Sequence, residues 1–122
     1  MVYSIKNLGQ NFLVNKGIVS KIIIASNLSK NDTVLEVGPG KGVLTEELVK
    51  RADRVIAIEK DQRLFEYLKE KLKDANNLEL VNADILQITH YALPITHYKL
   101  IANIPYNITG AFFKKFLLED NS

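Results

Sequence analysis

Apolar residues change their spacing along this chain in a regular way. Ile18, Ile22 and Ala25 recur at helical spacing, with Val19 and Ile23 beside them. That pattern predicts a helix over about residues 16–27, which Asn15 can cap. The β-branched run Thr33–Val37 stops at Gly38 and reads as a strand, and helical spacing resumes over about residues 43–50. Arg54–Glu59 is a second strand. Asp61 can cap the helix after it, on which Leu64, Phe65, Leu68 and Leu72 share a face until Asn76 and Asn77 break it. Two more strands are predicted, at Leu78–Asn82 and at residues 98–102, and a last helix over residues 109–118. The stretch 87–97 is the least regular and reads as a loop with a weak turn of helix. Strands alternating with helices call for a mainly parallel sheet with helical crossovers, an α/β fold.

Bulk properties narrow the picture. A chain of 122 residues suits one core, and 47% hydrophobic with 25% charged residues is the balance of a folded globular protein. There are no cysteines, which removes disulfides, thiolate metal sites and thiol nucleophiles together. The first residues lack a signal-peptide layout, so a cytoplasmic setting is expected. The longest apolar run, residues 22–25, is far short of the roughly 20 residues that span a bilayer. A net charge of +2 permits nucleic-acid binding without requiring it. His90 and His97 lie in the irregular stretch as surface residues, and metal-ligand spacing is missing.

Candidate chemistry gathers at the strand ends. Gly38, Gly40 and Gly42 sit where the first strand hands over to a helix, a place where glycine lets backbone approach a ligand. Their spacing is G-x-G-x-G rather than the G-x-G-x-x-G of dinucleotide sites, which favours a ligand without a pyrophosphate. Glu59 follows Gly38 by 21 positions, close to the separation at which an acid reaches ribose hydroxyls in such folds. Asp84, after the third strand, is placed to reach an adenine at the same sheet edge. Each feature alone is as readily a structural turn or a solvated charge, and it is their occurrence at successive strand ends that points to a nucleoside.

After the fourth strand comes Asn103-Ile104-Pro105-Tyr106. An Asn side-chain oxygen and a neighbouring carbonyl can accept both protons of an exocyclic amine, leaving its lone pair aimed at an electrophile. Proline fixes the turn, and Tyr106 offers a face on which one unpaired base can stack. An adenine amine inside a helix is inaccessible, so the target must be extruded or already single-stranded.

Four strings in order, NLGQNFL at 7–13, VLEVGPGKGVLT at 34–45, NADIL at 82–86 and ANIPYNI at 102–108, resemble the motifs of the ribosomal RNA adenine dimethyltransferases. The resemblance implies a Rossmann-like class I methyltransferase fold, here a truncated three-layer sandwich with strand order 3-2-1-4. It also implies S-adenosyl-L-methionine as cofactor and transfer of two methyl groups to the exocyclic amine of adenine in ribosomal RNA. Carried over position by position, Gln10, Asn11, Leu13, Gly38, Gly40, Glu59, Asp84 and Asn103 would line the cofactor site, with Ile85 against its adenine. Asn103 would orient the target amine within the loop made by Ile104 and Pro105, and Tyr106 would stack on the base.

The NLGQNFL string and Pro39 look more like the small-subunit branch, acting on the pre-ribosomal particle, than the large-subunit branch of macrolide resistance. A non-catalytic module that binds S-adenosylmethionine or RNA is the other reading. The segment before Gly9 is poorer in basic residues than is usual in the family. Relatives continue well past Ser122, so a fragment lacking the remaining strands, a later pocket aromatic and a helical domain is expected. Such a fragment should bind cofactor without completing catalysis, and its fourth strand should be an unpaired edge through which chains associate.

Overall fold

The computed structural model of the chain describes residues 16–88 and 97–102, and residues 2–4 by their backbone. The elements run β1 (Val2–Ser4), α1 (Lys16–Ser26), β2 (Thr33–Val37), α2 (Val43–Arg51), β3 (Arg54–Glu59), α3 (Gln62–Lys71), β4 (Leu78–Asn82), a 3-10 turn (Ile85–Gln87) and β5 (Lys99–Ala102). All described strands pair in parallel, in the order β1-β5-β2-β3-β4. The four strands foreseen from the sequence therefore stand in the expected order. The predicted helix at 109–118 and the Asn15 cap lie outside the described residues.

The expectation of an unpaired fourth strand is corrected. β1 lies along β5, with Val2 opposite Leu100, Tyr3 opposite Ile101 and Ser4 opposite Ala102. Three residues are too few to carry an alternation, so β1 was not legible in its own stretch; its pairing comes from β5, nearly a hundred positions away. Among the described residues the sheet's edges are β1 and β4, and association through β5 loses its structural basis. At β4 the edge carries a cross-strand ion pair, Arg54 to Glu79 at 3.0 Å, a kind of charge that discourages edge-to-edge pairing.

Alternation along the strands sorts side chains to two faces. Val34, Val55 and Ile101 meet Val19 and Ile22 of α1 and Leu44 and Leu48 of α2. On the opposite face Leu35, Val37, Ile56, Ile58, Leu100 and Ala102 cluster with Ile85. A parallel sheet covered on both sides needs such near-continuous apolar strands.

Side chains close the helix ends. Asp61 accepts from the N–H groups of Arg63 and Leu64, as a cap should. Asn77 donates its amide to the carbonyls of Val49 (2.9 Å) and Ala52 (3.2 Å) at the end of α2. The Lys99 ammonium donates to the carbonyls of Ser26 (2.7 Å) and Asn27 (2.9 Å) and pairs with Asp32 at 3.1 Å. Asn27 takes φ +50° and stops α1 one residue earlier than the spacing suggested. No helix among the described residues is long and apolar enough to cross a membrane.

Candidate functional site

The carboxyl ends of β2, β3 and β4 bring three of the singled-out features to one edge of the sheet. The turn from Gly38 to Gly42 leaves β2 with φ values of +75°, +61° and +83° at its three glycines, a region that side chains other than glycine enter at a cost. The Gly38 N–H donates to the Ile58 carbonyl (2.9 Å), and that of Gly42 to the Pro39 carbonyl (3.0 Å). From α3, Lys71 donates to the Lys41 carbonyl at 2.6 Å and pairs with Glu46 at 3.3 Å. A Cβ at Gly42 would stand 2.7 Å from Leu68 Cδ2, so a side chain here would force the buried Leu68 of α3 to shift. A Cβ at Gly40 would meet nothing within 4 Å. The turn is thus pinned at its ends and open at its crown.

Under that crown lies Glu59, 6% exposed. Its Oε1 accepts from the Gly40 N–H (3.1 Å) and its Oε2 from the Asp61 N–H (2.9 Å). A carboxylate has about four acceptor directions, so each oxygen, already fixed by one backbone donor, can still take one hydroxyl. The open space at Gly40 beside an oriented acceptor pair fits the vicinal hydroxyls of a ribose.

Asp84 is held differently. Its Oδ1 accepts from the Leu86 N–H at 3.0 Å and starts the 3-10 turn, while Oδ2 lies 3.9 Å from the Lys60 ammonium. Ile85 is 4% exposed, enclosed in the cluster on the second face of the sheet. Gln10, Asn11, Leu13, Asn103, Ile104, Pro105 and Tyr106 lie outside the described residues. His97 is exposed.

Two further polar side chains shape this edge, and sequence reasoning missed both. Asn82 donates its amide to the carbonyls of Glu59 (2.9 Å) and Lys60 (3.3 Å), tying the exit of β3 to the strand that leads into Asp84. Glu36, 3% exposed on the helix face of β2, accepts from the Thr45 hydroxyl at 2.6 Å. Burial pushes the Glu36 carboxyl up to about 7; the charge of Glu59 adds to the rise and the Thr45 hydrogen bond opposes it. An acid inside a strand that otherwise reads apolar was the available signal for Glu36. A cleft of about 250 Å³ between α1 and α2, lined by Lys16, Val19, Ser20, Val43, Glu46 and Glu47, contains none of the foreseen site residues.

A glycine arch over a strand-end acid, at the carboxyl edge of a parallel sheet with this strand order, is the architecture of Rossmann-like class I methyltransferases. The model of the ribosomal RNA adenine dimethylase family matches residues 4–122, and the chain belongs to that family. It is 49% identical over 114 residues to ribosomal RNA small subunit methyltransferase A of Dehalococcoides mccartyi, covering 92% of this chain and 39% of that protein. The crystal structure of the 23S rRNA methyltransferase ErmE is similar with a TM-score of 0.78 at 39% identity, over 88% of this chain and 43% of that one. A dimethyladenosine transferase from Plasmodium falciparum gives 0.76 at 33% identity, over 89% and 39%. The chain spans about two fifths of the length of these relatives.

Proposed function

We propose that this chain is the cofactor-binding part of an S-adenosyl-L-methionine-dependent enzyme that dimethylates the exocyclic amine of adenines in small-subunit ribosomal RNA. The observation that carries the reading is Glu59, a nearly buried carboxylate with both oxygens oriented beneath the open crown of the glycine turn. When bound, S-adenosylmethionine supplies a methyl group activated by its sulfonium.

The chain's residues supply position and electrostatics. Glu59 accepts the ribose hydroxyls, and Gly38 and Gly40 leave room for the ligand to pass. Asp84 accepts from the adenine amine through Oδ2, and Ile85, which follows it at the start of the 3-10 turn, packs against the adenine. Gln10, Asn11 and Leu13 close the site from the N-terminal segment. Asn103 and the loop through Ile104 and Pro105 accept both protons of the target amine and present its lone pair, while Tyr106 stacks on the base. The attacking amine becomes acidic once alkylated, so no dedicated base is required.

Acting on such an RNA, the enzyme would work alongside the ribosome in the cytoplasm. The 49% identity to a small-subunit enzyme favours that target. The likeness to ErmE favours adenine in large-subunit RNA as a second reading. Competition between the two RNAs for the chain in filter binding separates them.

Calorimetry tests the cofactor half of the proposal. The 122-residue chain should bind S-adenosylhomocysteine, and Glu59→Ala should weaken binding by more than about tenfold, the loss of roughly 1.4 kcal/mol or more. Absence of binding by the unaltered chain overturns the reading. Incubated with labelled methyl donor and under-modified ribosomal subunits, the chain alone should transfer little or no label, because it covers only 39% of its relative.

A further inference from the structure

Between β2 and α2 sits a polar pair that the proposed chemistry does not use. Glu36 lies on the same face as Val34, which packs among Val19, Ile22, Leu44 and Leu48, and its carboxyl is almost fully enclosed at 3% exposure. Its partner Thr45, in the first turn of α2, is 0% exposed. A charge in such a layer is costly, and the carboxyl is accordingly pushed up to about 7. Among the described residues, Glu59 from β3 is the titratable group acting on it; its neighbours across the sheet are the apolar Ala57 of β3 and Ile101 of β5, and the helices packed on that face bring Val19, Ile22, Leu44 and Leu48 onto Val34 and Ile101. An apolar pair of similar volume would suit stability as well or better.

The hydrogen bond from Thr45 to Glu36, 2.6 Å long, spans nine positions and closes a ring around the whole glycine turn. The backbone hydrogen bonds of the turn do a different job. Gly38 and Gly40 bond to β3; Gly42 bonds to Pro39 within the turn, and Glu46 bonds to Gly42 at the start of α2. Among the described residues, the hydrogen bond that ties β2 directly to α2 is the one between the Glu36 and Thr45 side chains. Three glycines in the left-handed region leave the span between these ends soft.

We propose that Glu36 and Thr45 are a positioning pair that sets the span of the glycine turn, and with it the placing of Gly40 over Glu59, for the nucleoside ligand. The inference rests on the cofactor reading above. The hydrogen bonds of Gly40 and Asp84 go to other groups, Gly40 donating to Glu59 and Asp84 accepting from Leu86, so the effect of the pair on binding is indirect.

The test is calorimetry of the 122-residue chain with S-adenosylhomocysteine, alongside thermal melts. Glu36→Gln, which keeps an acceptor for Thr45, and Thr45→Ser, which keeps the hydroxyl, should bind within about threefold of the unaltered chain. Thr45→Val, and the apolar double variant Glu36→Leu with Thr45→Val, should bind about tenfold more weakly, while the double variant melts no lower than the unaltered chain. Wild-type affinity in either valine-bearing variant overturns the inference alone. So does a Thr45→Ser variant that binds as poorly as Thr45→Val, which also decides the matter if the double variant does not fold. If the unaltered chain binds no ligand, the cofactor reading fails and the inference falls with it.

Discussion

At Gly40 and Gly42 the backbone has nearly the same positive φ, yet a methyl group would meet open space at one and Leu68 at the other. Gly40→Ala should therefore cost about 1–2 kcal/mol, the strain of the left-handed conformation alone. Gly42→Ala adds the displacement of Leu68, which is fully buried, and should cost about 1–3 kcal/mol more. Urea unfolding of the two variants side by side checks the difference, and equal midpoints would show that Leu68 gives way freely.

Glu36 makes a second prediction at this scale. Its folded value near 7 exceeds the ordinary 4.5, so the folded chain keeps a proton that the unfolded chain releases. Stability should fall as pH rises between those two values, by about 3 kcal/mol in all, and stay flat above. Glu36→Gln should remove this slope in denaturant titrations at pH 5 and pH 8. Asp32 and Glu47 are held below their usual range, Asp32 chiefly by the Ser29 N–H and Glu47 by Lys50. Their contributions have the opposite sign, are lost only as pH falls below about 4, and are small because both groups face water.

Helix ends are held by side chains from elsewhere in the fold, and this gives the elements unequal sensitivity. Asn77 satisfies two carbonyls at the end of α2 from 25 to 28 positions away. Asn77→Ala should lose about 1–2 kcal/mol, leaving a partly buried helix end without partners. Asp61 caps α3 locally, and Asp61→Ala should cost about 1 kcal/mol. Chemical denaturation measures both; a larger loss at Asp61 would mean that local capping outweighs the tertiary tie.

At the scale of the whole sheet, the described strands end at β1 and β4 rather than at β5. β1 contributes three residue pairs to β5, few enough to be removed cleanly. Deleting residues 1–4 should leave β5 with an open edge and raise self-association, which sedimentation velocity at increasing concentration would register. Unchanged monomeric behaviour would show that the β5 edge is covered by other means.

Most elements and several candidate site residues were legible because their causes are local. The runs at 33–37, 54–59 and 78–82 alternate or stay apolar within a few residues, Asp61 precedes its helix directly, and three glycines announce a turn in the string itself. Glu59 was singled out by its spacing from the turn, and Asp84 by its place after the third strand at the same sheet edge. Tertiary structure alone decided what depends on partners far along the chain. It set β1 beside β5, drew Lys99 and Asn77 onto distant helix ends, enclosed Ile85 in the core, and paired Glu36 with Thr45 across the turn. Hydrophobic period and turn chemistry act over one or two turns of chain, whereas the hydrogen-bond needs of buried polar groups are met by whatever the packed layers bring near them.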